Sequence, residues 1–328
     1  MSEYRYRPIH SGVKSRHLEY REPENPVRSA YMKRLQEHDD TRRIYSVNPY
    51  FQVFKFRDNL YGLYSDNLGG VADQWVYLLV GSEKAMVIDT GYGVGNLKGL
   101  IREIVGDMPL IVVDTHGHPD HAMGNAQFDR VFCHKYEVDT IRSMEGPYMW
   151  DSFFREDGSC IYTEFDRKDL ITFRDYELVG VENGHIFNLG GDYDVELIFM
   201  PGHSAGHCVL LDKKGRILFG GDDMCIGVLH IGACDPDSPY AKYATVTAFR
   251  NELEKLCRRL DEFDGIYPGH GIVDIGPSWL LDILDTCNEI IANPENYDAQ
   301  TPFFVENGLR LGKRIHDSGY LTYHLRNI

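Results

Sequence analysis

The stretch Thr115-His116-Gly117-His118-Pro119-Asp120-His121 brings three imidazoles and one carboxylate together within six residues. It follows directly after the apolar run LIVVD, which is typical of a buried strand. Neutral histidine is the commonest metal ligand, and two histidines spaced H-x-H at the end of a strand can converge on one ion. Four such side chains would be costly together in a core without a metal. The stretch therefore predicts a metal site.

Three later turns each carry one more ligand-type residue among small residues, at the end of a strand-like run. They read MPGHSAGH with His203, LFGGDD with Asp222 and YPGHG with His270. Glycines beside a ligand let the backbone turn sharply and approach closely. The chain thus supplies further ligands for the predicted site from distant parts of the sequence.

With this set the sequence resembles the metallo-β-lactamase superfamily, whose pattern is H-x-H-x-D-H followed by a histidine, an aspartate and a final histidine. The run MVIDTG, which contains Asp89, matches the strand end that precedes the ligand motif in that family. The resemblance spans residues 70–275. It implies an α/β fold, the αββα sandwich of two mixed β-sheets flanked by helices.

The resemblance also implies a dinuclear site at one edge of the two sheets. One metal would be held by His116, His118 and His203, the other by Asp120, His121 and His270, with Asp222 bridging them. We expect two divalent metal ions, zinc in the first place, with manganese or iron as alternatives. Asp89 would fix the ligand loop, as residues behind a metal site usually do.

Two adjacent divalent ions can share a hydroxide and leave one ion to polarise a substrate oxygen, so hydrolysis by water is the expected chemistry. Asp120 is the expected residue to orient this nucleophile and to pass its proton to the leaving group. His230 and Tyr240, in the loop 223–242, are candidate hydrogen-bond donors to a tetrahedral oxyanion. Cys225 is interpreted as a buried structural thiol.

The identity of the predicted ligands indicates which branches of the superfamily the sequence resembles. β-Lactamases of the superfamily have Cys or Ser where Asp222 would bridge, and the flavin-linked diiron reductases have Glu where His118 stands, so both are disfavoured. We expect a hydrolase that cleaves a small organic carbonyl substrate: a lactone, ester, thioester or amide. A small-molecule phosphodiesterase and a mononuclear iron oxidoreductase of the persulfide dioxygenase type are the alternatives.

A basic cluster near the carboxyl end is relevant to glyoxalase II, another member of the superfamily. Glyoxalase II would require such a cluster to hold the carboxylates of glutathione, and the run GLRLGKRIHDSGYLTYHLRN supplies Arg310, Lys313, Arg314 and Arg326. We interpret these residues instead as a solvated helix face.

Charge excludes several kinds of partner. The 34 basic and 50 acidic residues give a net charge of -16, and residues 51–328 alone carry -19. Such a surface repels phosphate backbones and anionic membranes, so we expect a small-molecule substrate and neither nucleic acid nor membrane as partner. The start MSEYRYRPIH has no apolar core of a signal peptide, and the seven cysteines are scattered. Both features predict a cytoplasmic protein with reduced thiols.

The sequence predicts an amino-terminal arm over residues 1–50, with a short helix near Ser29–Glu37, and a single hydrolase domain over residues 51–328. A homodimer could form through the arm. A lid-like insertion is expected near residues 145–170, where GPYMWDSFF supplies apolar side chains suited to an apolar acyl group. The alternative is that Trp150 and Phe153 simply cap the core.

Overall fold

The computed structural model describes residues 30–65, 74–158, 167–302 and 309–328. The first 29 residues of the predicted arm lie outside this part of the chain. The remainder of the arm contains the predicted short helix, which begins at Ala30 and ends at His38. It also contains a three-residue strand that joins the first sheet.

The first sheet has eight strands in sequence order. Its strands are β1 (Arg43–Tyr45), β2 (Asn48–Arg57), β3 (Leu60–Ser65), β4 (Gln74–Val80), β5 (Ala85–Ile88), β6 (Leu110–Val113), β7 (Arg130–His134) and β8 (Glu177–Val181). Strands β1 to β5 pair antiparallel with their neighbours and form a meander, and strands β5 to β8 pair in parallel. The predicted metal-binding motif follows β6 within the parallel half.

A second sheet of five strands has the order β14-β12-β11-β10-β9. Its strands are β9 (Ile186–Asn188), β10 (Asp194–Phe199), β11 (Cys208–Asp212), β12 (Ile217–Gly221) and β14 (Gly265–Pro268). The α-helices of the described residues are α1 (Ala30–His38), α2 (Leu97–Val105), α3 (Pro119–Ala122), α4 (Val138–Met144), α5 (Val246–Cys257) and α6 (Trp279–Ala292). Within that part of the chain, no helix is long and apolar enough to cross a membrane.

Side-chain alternation along β4 explains how the layers stack. Because successive residues of a strand point to opposite faces, Trp75 and Tyr77 pack between the two sheets, whereas Val76 and Leu78 pack on the outer face. The apolar face of α2, with Leu97, Leu100 and Ile101, covers that outer face. Helices α5 and α6 cover the second sheet in the same way. The predicted αββα sandwich is confirmed.

A third sheet of four strands was not predicted. It consists of β13 (Gly227–His230), β15 (Ala299–Pro302), β16 (Leu309–Ile315) and β17 (Gly319–Tyr323), in the order β13-β17-β16-β15. The interpretation of the carboxyl-terminal basic residues as a solvated helix face is therefore wrong for Arg310, Lys313 and Arg314, which lie on β16. Arg326 is exposed in the short 3-10 helix Leu325–Asn327. Arg310 lies on β16 with no exposed surface, and its guanidinium donates hydrogen bonds to the carbonyl oxygens of Ile231 and Thr322.

The insertion packs against the ligand side of the first sheet in its described residues, 145–158 and 167–170. Trp150 and Phe153 are buried in a cluster with Val94 and Met123, and the indole Nε1 of Trp150 donates to the carbonyl oxygen of Tyr92. These two aromatic side chains thus belong to the protein interior. The insertion as a lid over substrate stays a prediction.

A hydrogen bond between the two large sheets offers a test of the sandwich. The buried Tyr77 hydroxyl on β4 donates to the carbonyl oxygen of Pro268, at the end of β14, over 2.6 Å. Tyr77→Phe should lower the free energy of unfolding by about 1 kcal/mol, because a buried carbonyl loses its donor. Denaturant unfolding measures this value. Tyr61→Phe, at a half-buried position on β3, is the control, and an equal loss in both variants would contradict the proposed role of the hydrogen bond.

Candidate metal centre

The ligand loop is fixed to the end of the neighbouring strand β5 by Asp89. Its Oδ1 accepts the backbone N–H of Thr115 at 2.7 Å, and its Oδ2 lies 2.8 Å from Nδ1 of His121. Asp89 adopts a left-handed backbone conformation, φ 64°, which costs energy for a residue other than glycine. The carboxylate holds the His121 ring so that its Nε2 faces the site.

The first cluster consists of three imidazoles that face one another. Nδ1 of His118 lies 3.0 Å from Nε2 of His116 and 2.8 Å from Nε2 of His203. The other nitrogen of each ring is hydrogen-bonded to an oxygen. Nδ1 of His116 pairs with Oγ1 of Thr115, Nε2 of His118 with the carbonyl oxygen of Ala233, and Nδ1 of His203 with that of His230. Each ring therefore directs one nitrogen to a shared point, as metal ligands do.

The second cluster combines a carboxylate with two imidazoles. Oδ2 of Asp120 lies 3.2 Å from Nε2 of His270 and 3.4 Å from Nε2 of His121. The two Nε2 atoms are 3.3 Å apart. Three groups of side chains in the described residues are arranged to hold a metal ion, and together they contain all seven predicted ligands.

Asp222 lies between the two clusters. Its Oδ2 is 3.4 Å from Nε2 of His203, and its Oδ1 is 3.2 Å from Nε2 of His121 and 3.4 Å from that of His270. Within the described chain, this buried Oδ1 accepts no hydrogen bond. A buried carboxylate oxygen facing two imidazole nitrogens without a hydrogen bond fits a cation at that position, so the residues present suit the metal that they are predicted to bind.

Electrostatics favours the metal-binding form of His116, His203 and the two carboxylates, whereas those carboxylates and Asp89 raise the pKa of His121 despite its burial. Burial and the neighbouring imidazoles lower the pKa of His116 and of His203, which keeps both rings neutral. Burial opposes ionisation of Asp120 and Asp222, but the imidazoles of His121 and His270 outweigh it and hold the pKa of each carboxyl below its usual value. Neutral imidazoles and ionised carboxylates are the forms that coordinate metal.

Two residues of the second cluster, Asp120 and His270, are more accessible than His116 and His121. The side chains of His270 and Asp120 are 22% and 16% exposed, whereas those of His116 and His121 are fully buried. A substrate can therefore approach Asp120 and His270 more readily than the histidines beneath them.

His230 and Tyr240 lie outside the three groups of candidate ligands. His230 ends β13, its Nδ1 is 2.7 Å from Thr322 Oγ1, and its carbonyl oxygen orients His203. The Tyr240 ring stacks on that of Tyr136, with 4.5 Å between centroids. A catalytic role for either side chain stays a prediction.

Cys225 is buried, as interpreted, and burial with the nearby Asp222 raises the pKa of its thiol to about 12. A reactive thiolate at neutral pH is thereby disfavoured.

Two acidic residues behind the ligands were missed by sequence reasoning. Asp223 pairs with Nδ1 of His207 at 2.9 Å, and Nε2 of His207 accepts the backbone N–H of Asp222. Glu137 bonds to both histidine-bearing loops. Asp223 directly follows a predicted ligand, and Glu137 follows β7, a parallel neighbour of β6. These positions in the sequence were the only indications of a supporting role.

The chain is similar to a protein-family model, to curated relatives and to solved structures. A family model described as the metallo-beta-lactamase superfamily matches residues 69–228. The chain is 30% identical over 211 residues to the acyl-coenzyme A thioesterase MBLAC2 of Homo sapiens, which covers 60% of this chain and 72% of that protein. The Gallus gallus protein of the same name is 27% identical, covering 60% and 71%. A metallo-beta-lactamase from Pontibacter korlensis aligns with a TM-score of 0.48 and 18% identity, over 73% of this chain and 99% of that one.

Removing one predicted ligand should reduce metal binding. His203→Ala should lower the metal-to-protein ratio after dialysis, because the first cluster loses one of its three nitrogens. Elemental analysis of the purified protein measures this ratio. His134→Phe is the control, since His134 is also buried but stacks on Phe199. A wild-type ratio in His203→Ala would argue against His203 as a ligand.

Proposed function

Since the chain belongs to the metallo-beta-lactamase superfamily and is a hydrolase, we propose that it is a metal-dependent thioesterase for acyl thioesters of the acyl-coenzyme A type. The observation that carries the metal-dependent part is Asp222, whose two carboxylate oxygens face two separate clusters of ligand-type side chains. The thioester part is supported by the relatives, which are named acyl-coenzyme A thioesterases. A thioester is also one of the carbonyl substrates expected from the sequence.

The ligand arrangement suits two divalent ions, with Asp222 between them. His116, His118 and His203 would hold one ion, and Asp120, His121 and His270 the other. When bound, such ions lower the pKa of a coordinated water and polarise a carbonyl oxygen. The overall reaction adds water across the bond between the acyl carbon and sulfur, and releases a carboxylic acid and a thiol.

Asp120 is the residue proposed to handle the proton. Its pKa is depressed by His121 and His270, so the carboxylate is ionised and can accept a hydrogen bond that orients the attacking water, although the low pKa makes it a weak base. It also lies on the more exposed side of the site, where the leaving group can reach it. A thiol has an ordinary pKa near 8.5, so the leaving sulfur needs little protonation, and orientation of the water is the larger share of this role.

The substrate class can be tested by a panel of compounds of one acyl chain length: an acyl-coenzyme A, an acyl-homoserine lactone, an aryl ester and a bis-aryl phosphodiester. We expect thiol release from the acyl-coenzyme A to be fastest in kcat/KM, to stop with a chelator, and to return when zinc or manganese is added. Turnover of the lactone or phosphodiester without turnover of the thioester would contradict the proposal. One iron per chain with thiol-dependent oxygen uptake would favour the oxidoreductase alternative instead.

The proton-handling role is tested by Asp120→Asn. We expect kcat for the thioester to fall by about 100-fold or more, because an amide cannot accept the proton, while most of the metal is retained. Kinetics and elemental analysis on the same preparation separate these effects. Asp192→Asn, at an exposed carboxylate paired with Lys214, is the control. Near-normal kcat in Asp120→Asn would remove this role from the mechanism.

A further inference from the structure

Glu137 is a carboxylate with no exposed surface that lies between two loops carrying ligands. Its Oε2 accepts the backbone N–H of Gly117 at 2.8 Å. Its Oε1 accepts the hydroxyl of Ser204 at 2.7 Å and the backbone N–H of Gly206 at 2.5 Å. Gly117 separates His116 from His118, and Ser204 follows His203. One side chain thus joins the loops that supply all three imidazoles of the first cluster.

The backbone of Glu137 is held independently of these loops. Its N–H donates to the carbonyl oxygen of His134 at the end of β7, and its carbonyl oxygen accepts the N–H of Ile141 in α4. Glu137 is the residue that precedes α4, yet in the described structure its side chain makes no capping hydrogen bond to that helix. The carboxylate is directed to the ligand loops, although an acidic group at this position would also stabilise the helix start.

The side chain of Glu137 lies so close to Gly117 and Gly206, the two glycines that donate hydrogen bonds to it, that no larger residue fits at either position without displacing it. A Cβ on Gly117 would lie 2.8 Å from Oε2 of Glu137, and a Cβ on Gly206 would lie 2.9 Å from its Cγ. Either contact is closer than a carbon atom can approach without displacing the carboxylate. The glycines of both histidine motifs therefore allow the backbone to come within hydrogen-bond distance of the same buried acid.

We propose that Glu137 is a positioning residue that sets the spacing of the two loops and so preorganises the first cluster for metal. Hydrogen bonds to a charged acceptor are shorter and stronger than neutral ones, and three of them fix both loops relative to β7. A ligand set must be held to within about 0.5 Å, a tolerance that buried supporting groups provide. The 2.8 Å approach of His118 Nδ1 to His203 Nε2, across the two loops, is the distance under this control.

This inference rests on the metal site of the proposed function, but not on the thioester substrate. The competing explanation is that Glu137 stabilises the fold as any well-bonded buried carboxylate would. The chain offers a matched control, Asp212, which is also fully buried and accepts the N–H of Gly215 and the hydroxyl of Tyr193. It ends β11 at the opposite end from His207, away from the ligand loops.

The experiment compares Glu137→Gln with Asp212→Asn. Each change keeps the size of the side chain and replaces one acceptor oxygen by an NH2 group. In Glu137→Gln this group must face a backbone N–H, that of Gly117 or that of Gly206. In Asp212→Asn it can face the hydroxyl of Tyr193, which can also accept a hydrogen bond. Zinc affinity is measured by competition with a chromophoric chelator at fixed pH, and thermal unfolding is measured without metal. We expect Glu137→Gln to bind zinc about 10- to 100-fold more weakly, as is usual when a supporting residue is lost. Asp212→Asn should lower the melting temperature with zinc affinity close to that of wild type.

Amide hydrogen exchange of the metal-free proteins gives a readout that needs neither metal nor substrate. In Glu137→Gln the segments around Gly117 and Gly206 should exchange faster than in wild type, and in Asp212→Asn they should not. Equal zinc affinity in Glu137→Gln and wild type, or an equal loss in both variants, would overturn the proposal. If Glu137→Gln does not fold, Ser204→Ala removes one of the three bonds and should show the same changes to a smaller degree; no change there would overturn it.

A wild-type chain that binds no zinc would contradict the proposed function. The exchange experiment would then still decide whether Glu137 orders the two loops, so the two failures are distinguishable.

Discussion

The arrangement of the site depends on one carboxylate, that of Asp89, at the point where β5 and β6 end side by side. It accepts the first backbone N–H of the ligand loop and fixes the ring of His121. The left-handed backbone at this residue is strained, and such strain persists only where the surrounding contacts determine it. The parallel pairing of β5 with β6 supplies those contacts, because it brings the two strand ends to one edge of the sheet.

The balance between carboxylates and imidazoles determines which charged side chains can be buried at this edge of the sheet. Five imidazoles and the carboxylates of Asp120 and Asp222 meet there, in surroundings where an isolated charge would be costly. The imidazoles hold the carboxyl pKa values low, and burial holds the pKa of His116 and His203 low. Glu137 and His207, which is paired with Asp223, accept hydrogen bonds from backbone N–H groups of the loops. The candidate ligands and the residues that hold their loops are thus separate sets of residues.

The sandwich and the seven candidate ligands could be predicted because the motifs that carry the family resemblance are short and local in the sequence. The apolar run LIVVD indicated the strand before the motif, and the later candidate ligands His203, Asp222 and His270 each follow a strand-like run in a turn of small residues. Glu137 lies in no such motif, since its partners are mainly backbone amides, which every residue possesses. The third sheet was missed because β13 is only four residues long and pairs in parallel with β17, some ninety positions later. For the same reason Arg310 was assigned to a helix and to solvent.

That pairing of β13 with β17 has a consequence for the order in which the protein is built. The carbonyl oxygen that orients His203 belongs to His230 at the end of β13, and the next residue donates its N–H to Thr322 of β17. A nascent chain that has not yet reached Gly319 lacks the strand that holds this segment. The first cluster is therefore completed only after β17 has been synthesised and has paired with β13. Order in the loop that carries His203 would thus report that β13 and β17 have paired.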